Sequence, residues 1–137
     1  MTERMARPED IREIAVSLPE VSVAEGDRPA YRVRDRTFVL HREPRKDAVD
    51  PETGDRLTDV VMFVAPSSQD KDALVGDPST PFFTTTHFDG YNAVLLRLEH
   101  VARLTRDELA EVITDAWLAR APKRLAASWL TEHRLGE

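Results

Sequence analysis

The chain has 137 residues, a formal net charge of −6 and no cysteine. That length holds one domain with one core, and the lack of thiols excludes disulfides, thiolate catalysis and cysteine-ligated zinc. Overall acidity argues against a protein that coats nucleic acid non-specifically, because neutralised phosphates supply most of that affinity. No window approaches the roughly 18 apolar residues of a membrane span. The N-terminus carries acids within and just before its apolar part, so it reads as neither signal peptide nor anchor. The expectation is one soluble, cytoplasmic domain over residues 1–137, with no membrane partner.

Pro8 suits the first position of a helix, where its missing N–H has no partner to lose. Glu9 and Asp10 follow in the first turn, where the helix dipole favours negative charge. Ile11, Ile14, Ala15 and Leu18 mark a buried stripe, and Pro19 ends the helix. Ala30–Arg34 and Thr37–Arg42 read as two strands joined by a short turn at Asp35-Arg36, with Tyr31 and Val33 on one face and Arg32 and Arg34 on the other. The charged segment 43–59, rich in proline and acid, reads as an exposed loop. Val60–Val64 is an apolar run expected as a central strand. Ser67 with Asp70, and Thr105 with Glu108, have the spacing of capping boxes; they open a short helix reaching about Val75 and the longest helix of the chain. Tyr91–Leu98 is the strongest strand and is expected, with Val60–Val64, among the inner ones. Leu109, Val112, Ile113, Ala116 and Trp117 form the stripe of the long helix, Pro122 interrupts it, and Leu125, Ala126, Trp129 and Leu130 form a last one. Strands cluster with few helices between them, which predicts an α+β two-layer sandwich: a single antiparallel sheet with helices mainly on one face.

Charge is segregated along the chain. Residues 28–46 carry seven bases against two acids, whereas residues 47–77 carry eight acids against two bases. Arg32, Arg34, Arg36, Arg42, Arg45 and Lys46 form a basic ribbon able to grip phosphates, and a two-stranded ribbon fits a major groove. The competing explanation is a solvated strand face paired with the acids Asp47, Asp50, Glu52 and Asp55. The densest polar cluster lies at Thr84–Asp89, where Thr86, His87 and Asp89 precede a tight turn at Gly90. With Tyr31, Tyr91, Lys123 and Arg124 it forms a candidate ligand cleft, and His41 is the third partner that proton transfer or metal binding would need. Satisfied backbone at a turn is the favoured explanation of the cluster, because these residue types commonly play that part. A lone His-x-Asp is no metal motif, so no metal, cofactor or catalytic residue is assigned. Trp117 and Trp129 lie on apolar stripes and read as core.

The opening helix with Ser17-Leu18-Pro19-Glu20-Val21, the run 28–40, the Asp77-Pro78 break, the turn His87–Asn92 with its following strand, and Ala121–Leu125 occur in an order that resembles the MmcQ/YjbR family of small bacterial proteins. The resemblance implies a compact α+β fold related to secretion chaperones and a proposed DNA-binding role for a double-wing hairpin. It supplies no catalytic residues. The tryptophan usual in that family after the glycine turn is absent, with Asn92-Ala93 in its place. Three functions are therefore expected in descending order: weak, salt-dependent nucleic-acid binding through the basic hairpin, a chaperone-like module that binds a peptide or protein in an apolar groove, and an enzyme or binder for a small anion near His87.

Overall fold

Asp10 accepts the backbone N–H of Arg7 at 2.8 Å, so the first helix, α1 (Pro8–Ser17), begins where the proline and the acidic first turn predict. The structure, a computed structural model, describes residues 4–26, 28–42, 54, 59–84 and 91–134. Ile11, Ile14, Ala15 and Leu18 are all buried, as their spacing requires. After α1 come β1 (Val21–Ala24), β2 (Ala30–Val33), β3 (Arg36–Arg42) and β4 (Val60–Val64), then α2 (Ser68–Gly76) and β5 (Ala93–Arg97), and finally α3 (Arg106–Arg120) and α4 (Lys123–Arg134). The strands lie in chain order, β1-β2-β3-β4-β5, and every neighbouring pair is antiparallel.

Two local expectations need correction. The β2–β3 turn is Arg34-Asp35 rather than Asp35-Arg36, and both residues have positive φ (49° and 66°). Such a pair is the turn that matches the natural twist of a two-residue hairpin, but glycine usually marks it, and neither residue here is glycine. An ion pair from Arg34 to Glu20, itself at φ 58°, ties this turn to the one after α1. The second correction concerns Tyr91–Leu98, whose strand is shorter and is the last of the sheet rather than an inner one. Its apolar character comes from burial on both faces. Phe83 covers its outer edge by exchanging two backbone hydrogen bonds with Leu95, at 2.9 and 2.8 Å.

α1 and α3 pack on one face of the sheet, α3 across β3 and β4 and α1 beside it over β1. Trp117 of α3 is fully buried and donates its indole N–H to the Pro19 carbonyl at 3.1 Å. Trp129 of α4 packs on it with ring centroids 6.0 Å apart. The Thr105–Glu108 capping box forms as expected, with its two hydrogen bonds at 3.1 and 2.9 Å. Just ahead of it the N-terminal segment is pinned to the start of α3: Ala6 donates to the Leu104 carbonyl at 2.8 Å, and Arg106 donates to the Arg4 carbonyl at 2.9 Å. The fully buried Asp10 seals this joint. Its two oxygens meet the Arg4 guanidinium at 2.8 and 2.7 Å, and Arg106 Nε lies at 3.5 Å. A buried carboxylate is tolerated only with such partners. No described helix is long and apolar enough to cross a membrane.

Candidate functional site

The face of the sheet turned away from α1 and α3 carries a trough of about 540 Å³. Its floor is Leu40 of β3, Met62 and Val64 of β4 and Ala93 of β5, and its rim includes Arg36, Arg42 and Arg120. Tyr91 also lines it and is 60% exposed. A β-bulge makes this floor possible. Tyr31 pairs with Val39 while Arg32 pairs with Thr37, so Phe38 is the extra residue on β3. Phe38 and Val39 are both fully buried in the helix-side core, although adjacent residues of a regular strand point to opposite faces. The inserted residue lets Thr37 and Leu40, three positions apart, share the trough.

Arg36 opens β3 and reaches the end of α3, where its guanidinium donates to the Arg120 carbonyl at 3.3 Å. The last carbonyls of a helix lack intrahelical partners and carry partial negative charge, so two cations are stabilised at this spot. Two guanidinium groups and an aromatic ring thus gather over an apolar strip at one end of the trough, with Arg42 along it. Planar, multidonor guanidinium groups suit carboxylate and phosphate oxygens, and the floor and ring add apolar surface.

The structure sorts the residues singled out by sequence into three groups. Arg36, Arg42 and Tyr91 come together in the trough. Arg32 is exposed on β2, in register with Thr37 of the trough. The remaining described candidates lie elsewhere. Arg34 pairs with Glu20, and Arg28 of the same basic run pairs with Asp59, so acids from neighbouring turns neutralise part of the ribbon. Tyr31 is 2% exposed within the helix-side core, where burial raises its pKa. Lys123 and Arg124 are exposed on the first turn of α4 and do not line the trough. Arg45, Lys46, Thr86, His87 and Asp89 lie outside the described residues, as do the acids Asp47, Asp50, Glu52 and Asp55.

His41 packs edge-on against Tyr31, centroids 5.8 Å apart, and its pKa is lowered by burial and by the Arg28 charge. Its surroundings account for it as a packed side chain. Among the described residues no cluster of three histidines or carboxylates is placed to hold a metal. The residue that sequence reasoning missed is Arg120. Its only local signal is a base in the last turn of a helix, which the dipole alone explains, and nothing nearby in sequence places it beside β3.

A family model described as YjbR matches residues 16–119 of the chain. That span takes in Arg36, Arg42 and Tyr91 and stops one residue short of Arg120. Uncharacterized protein Rv2570 of Mycobacterium tuberculosis strain H37Rv is 36% identical over 135 residues, covering 92% of this chain and 97% of its own length. Uncharacterized protein Mb2600 of Mycobacterium bovis matches with the same identity and coverage. No solved structure matches.

Proposed function

The chain belongs to the YjbR family, and we propose that it binds single-stranded nucleic acid weakly, along the trough on the open sheet face. In this proposal Arg36, Arg42 and Arg120 take phosphates and the Tyr91 ring stacks on a base. The observation that carries the proposal is the convergence of three arginines and an exposed tyrosine over one apolar floor. Single-strand binders combine a cationic track with aromatic rings that accept any base. A duplex needs a broader cationic surface, and the ion pairs of Arg28 and Arg34 reduce the one the hairpin offers. The chain's net charge of −6 keeps the affinity low.

The test is fluorescence anisotropy of labelled oligo(dT) against a duplex of equal length, at several salt concentrations. Three phosphate contacts give a log–log salt slope of about −2 for a single strand. Changing Arg36, Arg42 and Arg120 together to alanine should remove most of that slope, and Tyr91→Ala should weaken binding by about 1–3 kcal/mol without changing it. Absence of binding at low salt, or binding that survives the triple change, overturns the proposal. Preference for the duplex returns the function to the hairpin.

A further inference from the structure

On the helix side of β5 a second recess of about 270 Å³ opens between α2 and α3. Its apolar lining comes from Leu74 on α2, Val112 on α3, and Phe82, Val94 and Leu104 between them. Asp70, Glu108, Glu111 and Asp115 also line it, and among the described residues the lining includes no basic side chain. Capping accounts for two of these acids: Asp70 accepts the Ser67 hydroxyl at 2.8 Å, and Glu108 accepts the Thr105 N–H at 2.9 Å. Those bonds also hold the two carboxylates at the mouth of the recess. Glu111 and Asp115 lie beyond the first turn of α3, where the dipole no longer favours acids. Glu111 continues the negative rim along the α3 wall.

We propose that this groove docks a basic segment of a partner protein, with apolar side chains seated between α2 and α3 and flanking lysines or arginines over the acidic rim. Charge complementarity selects the occupant. An apolar pocket rimmed by one sign of charge favours a partner of the opposite sign and rejects one of the same sign. An acidic ligand or a nucleic acid would meet repulsion here, so the groove and the trough take different partners and are tested separately.

The experiment uses the full chain and two labelled probes, an amphipathic lysine–leucine peptide and its glutamate–leucine counterpart, followed by anisotropy and by NMR shifts of the Leu74 and Val112 methyls. The lysine peptide should bind at least about tenfold more tightly, a difference of about 1.4 kcal/mol, and should move both methyl signals. Ala73→Trp, on an exposed position of the α2 wall, should fill the groove and abolish that binding. Glu111→Lys should narrow the preference between the peptides several-fold without closing the pocket. If both variants bind the lysine peptide as the native chain does, the attraction is a diffuse effect of net charge and the proposal fails. Concentration-dependent self-association that Ala73→Trp abolishes would replace the partner with a second copy.

Discussion

The trough and the groove meet across β4 and β5 and carry opposite charge. Along β5 the period of two turns Ala93 toward the trough and Val94 toward the groove, so one peptide unit separates a cationic surface from an anionic one. Net charge describes neither surface. α3 links them: Glu108, Glu111 and Asp115 run along the groove, and its C-terminal residue, Arg120, reaches the trough. Glu108 in its first turn and Arg120 in its last complement the dipole, and the helix thereby delivers opposite charges to two sites.

The comparison breaks most completely if α3 loses its seat. Trp117→Ala empties a fully buried indole site and leaves the Pro19 carbonyl without its donor. A loss of about 3–5 kcal/mol is expected, read by urea denaturation, and both binding activities should fall together. If one persists in the folded fraction at native strength, α3 does not link the two surfaces.

Asp10 tests the other end of that helix. Asp10→Ala removes the carboxylate shared by Arg4 and Arg106 and the acceptor of the Arg7 N–H, and, because both arginines stay hydrated, a loss of about 1–3 kcal/mol is expected. The Arg4 hydrogen bonds, helped by the Arg7 N–H, hold the Asp10 carboxyl well below the ordinary aspartate range. A depressed carboxyl stabilises the fold fully above about pH 4, and that contribution drains away as pH falls further. Acid titration of native and Asp10→Asn proteins should therefore show a shallower loss below pH 4 in the variant. Equal slopes would show that Asp10 does not couple protonation to folding.

A surface change sharpens the comparison without touching the core. Arg120→Glu should weaken oligo(dT) binding by about tenfold, or 1.4 kcal/mol, leave lysine-peptide binding within a factor of two or so, and change stability by less than about 1 kcal/mol. Equal effects on both ligands would mean that the two surfaces respond to total charge alone. The smallest effect is expected at His41, outside both sites. Burial and Arg28 lower its pKa, so the folded state resists its protonation and stability should decline slightly as pH drops from 7 to 5. His41→Phe should flatten that decline, with a total change under about 1 kcal/mol, measured by thermal melts at each pH.

Sequence alone determined the order of the elements other than β1 (Val21–Ala24), which it left unassigned, the capping at Thr105 and Ser67, the break at Pro122, the buried stripe of α1, the core role of Trp117 and the antiparallel class of the sheet. These follow from local periodicity and from residues that end or start helices. Sequence also identified Arg36, Arg42 and Tyr91 as candidates, but placed the two arginines in a ribbon with Arg34 and the tyrosine in a separate cleft with Tyr31, Lys123 and Arg124, and those partners fold to other places. Three decisions belonged to the tertiary structure. The turn at Arg34-Asp35 carries no glycine to announce its left-handed backbone, and the bulge at Phe38 breaks the alternation by which strand faces are assigned. The third is the approach of Arg120 to Arg36, 84 positions apart in sequence. A charge pattern read along the chain gives the composition of each segment, but which charges share a surface depends on strand register and on where a helix ends. Those are set by packing between distant residues, for which periodicity holds no signal.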